Sequence, residues 1–158
     1  MNGEIESAIK SYLAAYLTAL GEDFASVSCH AGTSRDTLPG DRQTVVAAVR
    51  NNPRLPVRKL LYQSELTCVI TTPVIEGMLE ADHNALVNVV LWALQPRLDD
   101  DHDATAVAAA QAALDAAMVD ATIQALHCPS TWAEGPQSAH TEKDWQTLIS
   151  VKLLVTEN

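Results

Sequence analysis

An amphipathic helix near the N-terminus is the feature that most constrains how this chain can fold. Between residues 5 and 20 the apolar side chains recur at three- and four-residue intervals, so they share one side of an α-helix over about four turns. Gly21 then provides a natural helix end. This helix must pack on an apolar surface supplied by the rest of the chain. Its stripe consists of Ile5, Ala8, Ile9, Tyr12, Leu13, Tyr16, Leu17 and Leu20.

Four later segments have the composition and spacing of β-strands. The segment 25–30 is short and rich in small and β-branched residues, and 43–50 (QTVVAAVR) is typical of a buried strand. The segment 59–71 alternates between an apolar face and a face of Gln, Glu and Thr, which predicts a long antiparallel strand with one buried side. The last segment, 145–155, alternates in the same way.

The connections between these segments contain turn-forming residues. The stretch 31–41 (AGTSRDTLPGD) predicts a long loop. Pro53 and Pro56 lack the N–H that a central strand requires, so NNPRLP predicts a turn between two strands. Residues 129–144 are also rich in turn formers and predict a loop with one short strand around Trp132.

Two further helices are expected between the long strand and the final strand. Asp82 is a suitable N-cap for a helix that ends before Pro96, with an apolar stripe facing the sheet. The alanine-rich segment from Ala104 to about Leu126 predicts a third helix, and its pattern leaves open whether this is one helix or two. The acidic run 98–103 before it complements the positive end of that helix dipole.

The order helix, strands, helices, strand predicts an α+β fold. We expect a mostly antiparallel sheet of about four to five strands, flanked by the N-terminal amphipathic helix and one or two covering helices. A chain of 158 residues fits a single domain over 1–158. The longest apolar stretch, 87–94, is far shorter than the ~20 residues of a membrane span, and no secretory signal precedes the first helix.

Charge and cysteine content limit the classes of partner. The net charge of −10 argues against a surface that binds nucleic acid by neutralising phosphates, although an acidic wall would let DNA slide past without sticking. The three cysteines, Cys29, Cys68 and Cys128, are odd in number and widely spaced. This pattern predicts buried thiols in a reducing compartment.

A search for catalytic and cofactor motifs leads us to assign no catalytic residue, no cofactor and no metal. Phosphate-binding loops, nucleophile elbows, HExxH and CxxC motifs are missing from the sequence. A zinc site built from Cys29-His30, His127-Cys128 and Cys68 is a remote alternative, because adjacent residues on a strand point to opposite faces. The 99–103 aspartates lack the spacing of a calcium loop. His83 is interpreted as a helix-boundary residue that packs or caps, in preference to a general base.

Basic residues are concentrated in one place in this acidic chain. Arg50, Arg54, Arg58 and Lys59 flank the proline-containing turn. One interpretation is a solvated turn. The other is a positive patch that contacts the acidic surface of an adjacent subunit, which makes these four residues our candidate inter-subunit contacts.

Several stretches together resemble the tail terminator (tail completion) proteins of long-tailed bacteriophages. They are IESAIKSYLAAYL, LPGDRQTVVAAV, the YQSELTCVITTP strand, ADHNALVNVV with its His83-xx-Leu86 step, and the Trp-led DWQTLISVKLLV. The resemblance covers most of the chain and follows the order of elements.

The resemblance implies a virion structural protein and not an enzyme. It implies a homo-oligomeric ring, usually hexameric, that is made in the host cytoplasm and incorporated into the virion. The ring would cap the tail tube protein, receive the head through a neck or head-completion protein, and let DNA pass through its lumen without specific binding. A neck or head-closure adaptor is a close alternative. A small α+β ligand-binding protein or enzyme is an alternative of another class.

Overall fold

The computed structural model describes residues 2–32, 38–49, 55–58, 61–94, 104–127 and 137–157. These residues form three α-helices and a seven-stranded mixed sheet, so the α+β prediction is confirmed and the sheet has more strands than expected. The helices are α1 (Asn2–Ala19), α2 (Glu80–Leu94) and α3 (Ala104–Ala117). The strands are β1 (Ser28–Ala31), β2 (Thr44–Val49), β3 (Leu55–Arg58), β4 (Leu61–Pro73), β5 (Ala121–His127), β6 (Gln137–His140) and β7 (Asp144–Glu157).

The predicted N-terminal helix is confirmed as α1. Its stripe is buried as far as Leu17, with Ile5 and Ile9 fully inaccessible, while Leu20 follows the helix and is partly buried. The helix packs against α3, β1 and β2. The Tyr12 hydroxyl donates a hydrogen bond of 2.6 Å to the carbonyl oxygen of Ala93, which lies in the last turn of α2 and has no partner within that helix. Burial, with a smaller contribution from Tyr16, raises the pKa of Tyr12 to about 12. This hydroxyl therefore joins two helices as a neutral donor.

The sheet has the main order β1-β2-β4-β7-β5, and its centre is the antiparallel pair β4 and β7. That pairing is continuous from Leu61 opposite Thr156 to Pro73 opposite Asp144. One face is buried at every second position, where Cys68 pairs with Ile149 and Leu66 with Val151. The described helices share their core with this face. The alternation predicted for the long strand and for the final strand is confirmed.

Each central strand has two partner strands in line along its outer side. β2 and β3 both pair antiparallel with β4, and β5 and β6 both pair antiparallel with β7. Val49 is opposite Leu66, and Leu55 is opposite Gln63. The chain has five residues, 50–54, between the first members of these pairs, whereas β4 has two, 64 and 65, between the second members. The basic residues Arg50 and Arg54 belong to this interval, outside the described residues.

Pro56 lies within a strand, and the predicted turn at this position is wrong. It belongs to β3 and is opposite Tyr62 of β4. Among the described residues β3 pairs with β4 on one side, so its other side is an edge where a missing N–H breaks no ladder hydrogen bond. The proline rule excludes central strands, and β3 is not one.

The alanine-rich segment is a helix followed by a strand, so the prediction of a helix reaching about Leu126 is wrong. α3 ends at Ala117 and β5 begins at Ala121. The Glu4 carboxylate of α1 accepts hydrogen bonds from the backbone N–H groups of Val119 and Asp120, the second at 2.8 Å. This contact between distant parts of the chain fixes the turn that ends the helix. Helix propensity is a local preference, and tertiary contacts override it.

Two other boundaries differ from the predictions. α2 begins at Glu80, and Asp82 lies in its first turn, where its carboxylate accepts the Leu79 N–H at 2.8 Å. Asp82 therefore caps from the third helical position, as the acidic residue of a capping box does. Strand β6 lies within the segment predicted to be loop, while Trp132 is outside the described residues. In the part of the chain that the structure describes, no helix is long and apolar enough to cross a membrane.

Replacing Ile9 by alanine tests whether α1 is docked as described. Ile9 is fully buried, so we expect the free energy of unfolding to fall by about 2–5 kcal/mol through lost burial and an unfilled cavity. Urea denaturation followed by far-UV circular dichroism measures this change. Ser7→Ala, at an exposed position of the same helix, is the control and should alter stability by less than about 0.5 kcal/mol. Equal effects of the two substitutions would contradict the docking of α1.

Candidate functional site

The structure describes only part of the predicted basic patch. Arg50, Arg54 and Lys59 lie outside the described residues, and Arg58 is described as the last residue of β3, with its backbone opposite Leu61. The described part of the patch, the backbone of Arg58, therefore lies at the end of the sheet where β4 begins. That the four residues of the patch form an inter-subunit contact stays a prediction.

A buried polar network lies near the other end of β4, centred on His83. The side chain is 3% exposed, in agreement with the interpretation of His83 as a packing residue. Its Nδ1 lies 2.7 Å from the Thr72 hydroxyl and its Nε2 lies 2.8 Å from the Thr147 hydroxyl. One imidazole thus connects α2 to both central strands.

The network continues on both sides of this centre. Gln43, which precedes β2, donates from Nε2 to the Thr72 hydroxyl at 2.9 Å and to the main-chain carbonyl of Asp82 at 3.2 Å. On the other side, the hydroxyls of Ser138 and Thr147 are 2.9 Å apart. Five side chains from β4, β6, β7, α2 and the start of β2 therefore form one hydrogen-bonded chain.

Most of this network was missed from the sequence, although a signal for it exists. Thr72 and Thr147 occupy inward positions on β4 and β7, where the neighbouring inward residues are apolar. A hydroxyl at such a position needs a partner, and a histidine in the covering helix can supply one. Which side chain is that partner depends on how α2 lies over the sheet. The position of α2 is set by tertiary packing and cannot be inferred from the local sequence.

Burial lowers the pKa of His83 and outweighs the opposing influence of Glu80. The ring is consequently neutral near pH 7, with one nitrogen that donates and one that accepts. The Thr72 hydroxyl already accepts from Gln43, so its own proton is available for Nδ1 of His83. Assigned in this way, Nε2 of His83 donates to Thr147.

This geometry favours a structural role for the network. The two ring contacts are threonine hydroxyls, whereas a histidine that acts as a general base is commonly oriented by a carboxylate that stabilises the imidazolium. A fully connected buried network specifies how the parts around it pack, because each broken contact leaves a polar group without a partner. We interpret it as the connection that fixes α2 on the β4–β7 pair.

A surface cavity of about 420 Å³ adjoins the network. Gln43 belongs to both, and the cavity has carboxylates as well as apolar groups in its wall. Glu22, Glu76 and Glu80 are exposed, and each lies within two residues of a wall residue in the sequence. This end of the sheet is therefore acidic. We call the exposed residues Glu22, Asp23, Glu76, Glu80 and Asp82 the acidic end. The wall includes Asp23, Phe24, Gln43, Met78, Asp82 and Ala85.

The second face of the sheet carries none of the described helices. Most of its side chains are partly exposed, and Thr44 and Thr67 are buried. Glu65 and Lys152 are directly opposite each other on this face, as are Val69 and Leu148. We call its central part the open face. It consists of Thr44, Val46 and Ala48 of β2, Gln63, Glu65, Thr67, Val69 and Thr71 of β4, and Gln146, Leu148, Ser150, Lys152, Leu154 and Thr156 of β7.

The cysteines described by the structure have the environment of unreactive thiols. Cys68 is fully buried, and burial, opposed by Lys10, raises the pKa of Cys29 to about 11. Within the described ranges no three His, Cys, Asp or Glu side chains gather closely enough to hold a metal ion. Cys128, which the remote zinc alternative requires, lies outside them.

No known family model matches the chain, and a search of curated proteins finds no match.

The pH dependence of stability tests the state of His83. Its pKa in the folded chain is below the ordinary value of 6.5, so below that pH the unfolded chain takes up a proton that the folded chain resists. Stability should therefore be complete above pH 6.5 and fall as the pH decreases through 6.5 towards the lowered pKa. Urea denaturation at a series of pH values measures this for the wild type and His83→Gln, which should lose this component. His140→Gln, at an exposed position, should keep it. Equal pH dependence of stability in the wild type and His83→Gln would contradict a lowered pKa of His83 in the folded chain.

Replacing Thr147 by valine tests the hydrogen bonds of the network. The substitution keeps the shape of the side chain and leaves Nε2 of His83 without its hydroxyl partner. We expect a loss of about 1–3 kcal/mol in the free energy of unfolding, because a buried polar group becomes unsatisfied. Thr71→Val, on the open face, is the matched control and should have a smaller effect. Chemical denaturation measures the free energy of unfolding of both variants. Equal losses would contradict a specific contribution of the network to stability.

Proposed function

We propose that this chain is a virion structural protein that forms a ring, terminates the tail tube of a long-tailed bacteriophage and joins it to the head or neck. The observation that carries the proposal is the arrangement of elements: an N-terminal helix, a long central strand, a covering helix and a Trp-led final strand, in the order of the tail terminator resemblance. The function is mechanical, because the ring would act through its shape and its contacts.

The charge of the chain supports passage of DNA without binding. A net charge of −10 repels phosphates, so DNA can move along an acidic wall without forming stable contacts. Sequence-independent DNA binding would need the opposite sign. The proposed lumen therefore guides DNA and does not bind it specifically.

The distribution of charge supports contacts between neighbouring copies. The acidic end lies where β4 ends, and Arg58, the described residue of the basic patch, lies where β4 begins; the 13 residues of β4 separate these two ends by roughly 40 Å at the usual rise per strand residue. Opposite charges at two different places on one molecule fit a heterologous contact, which closes into a ring when the rotation between copies allows it. Arg50, Arg54, Arg58 and Lys59 are proposed to form the positive side of this contact.

Two other functions remain as alternatives. A neck or head-closure adaptor would also be a small ring-forming protein, and it would bind heads in preference to isolated tail tubes. A small ligand-binding protein or enzyme is favoured by one specific observation, the cavity of about 420 Å³ beside Gln43. That function requires neither a ring nor tail tubes.

Purified protein tests the proposal directly. We expect rings in negative-stain images, a mass of several copies by light scattering, and binding to headless tail tubes in a sedimentation assay. Arg54→Glu should weaken ring formation because it reverses a charge in the contact, whereas Lys10→Glu makes the same change of charge at an exposed position of α1, outside the patch and the acidic end, and should not. A strictly monomeric protein that ignores tail tubes would refute the proposal, and binding to heads alone would favour the adaptor.

A further inference from the structure

The open face is neutral overall although the chain is strongly acidic. It carries one acidic residue, Glu65, and one basic residue, Lys152, in a chain with a net charge of −10. Its apolar side chains form a row across three strands, because Val46 is opposite Val69 and Val69 is opposite Leu148. Low charge with apolar content at the centre is the composition of a protein–protein contact.

The register makes this face complementary to itself. Consider a two-fold axis parallel to the strands, lying above the face between β4 and β7. It places β4 of one copy over β7 of the other at the same height along the strands. Glu65 then faces Lys152 of the second copy, and Val69 faces Leu148 of the second copy. Both charges thus meet an opposite charge, and the apolar row meets an apolar row.

The area of the open face suits a small contact. At a rise of about 3.4 Å per residue and a strand spacing of about 4.8 Å, the seven described strands together present roughly 800 Å² of flat face, and the parts of β2, β4 and β7 that form the open face present about half of this. Interfaces of weak, transient pairs lie below the standard size of about 800 Å² per partner. Two sheets can pack face to face about 10 Å apart with their strands nearly aligned.

We infer that two copies of this chain associate through their open faces, about a two-fold axis along the strands between β4 and β7. The partner is a second copy, because the same register that pairs Glu65 with Lys152 within a copy pairs them again between copies. This association is a property of the open face. It does not depend on the proposed ring that terminates the tail tube (the tail-cap proposal), whose contacts use the basic patch and the acidic end.

Charge reversal with mixing tests this inference. The wild type should be dimeric or a multiple of dimers at micromolar concentration by sedimentation velocity. Glu65→Lys and Lys152→Glu should each raise the dissociation constant of the pair about tenfold or more, because like charges then face each other. An equimolar mixture of the two variants should recover the wild-type affinity, since every charge between the two different copies is opposite again. A role confined to contacts within one copy cannot produce this recovery.

Two controls make the test specific. Glu142→Lys and Lys143→Glu carry the same charge changes at exposed positions of the turn between β6 and β7, and they should leave the dissociation constant unchanged. Circular dichroism and thermal unfolding check that each variant is folded. The double variant Glu65→Lys/Lys152→Glu keeps opposite charges within the sheet, so it remains informative if the single variants unfold. It should pair with itself and fail to pair with the wild type.

The possible outcomes separate this inference from the proposed function. A wild-type monomer at about 100 µM, well above the micromolar range of ordinary specific pairs, would overturn the inference. A mixture that stays as weak as the single variants would also overturn it, as would a double variant that pairs freely with the wild type. Rings that form on tail tubes and are insensitive to both reversals would overturn the open-face contact while leaving the tail-cap proposal intact.

Discussion

The antiparallel pairing of β4 with β7 is the interaction on which the rest of the structure depends. It is the longest pairing among the described strands, and every other described strand except β1 pairs directly with one of these two. Because side chains alternate across a sheet, this register decides at once which residues face the helices and which form the open face. A slip of one residue would place Glu65 on the same face as Val151, so either a charged side chain would be buried or an apolar one exposed. The helix α2, which packs on β4 and β7, would then lose part of its apolar surface.

The His83 network adds a polar constraint to this apolar one. Apolar packing tolerates small shifts of a helix along a sheet, whereas hydrogen bonds at 2.7 and 2.8 Å to hydroxyls on two strands do not. The network therefore determines where α2 lies over β4 and β7. The Tyr12 hydroxyl performs a similar task at the other end of α2, where it satisfies a helix-end carbonyl. The covering helix is fixed near both ends by a buried polar contact.

Local periodicity predicted the elements in which apolar residues repeat regularly along one face. α1, β2, β4 and β7 each have a regular apolar face, and all of them were predicted within a few residues. The errors share a different cause. α3 ends because Glu4, more than a hundred residues away in the chain, binds the turn at Val119 and Asp120, and β3 tolerates Pro56 because it lies at an edge. Likewise, the sequence located His83 but could not reveal Thr72 and Thr147 as its partners. Contacts made by the tertiary fold were needed for each of these.

The two proposed contacts differ in symmetry, and this difference determines what they can build together. The open face is complementary to itself, so a contact through it is complete with two copies. The basic patch and the acidic end are different places on the molecule, so a contact between them leaves one of each unused and continues until a ring closes. Copies that use the second contact alone form a single ring. If both contacts operate together in a closed assembly of two rings, its two-fold axes are perpendicular to the ring axis, and the two rings are joined through their open faces.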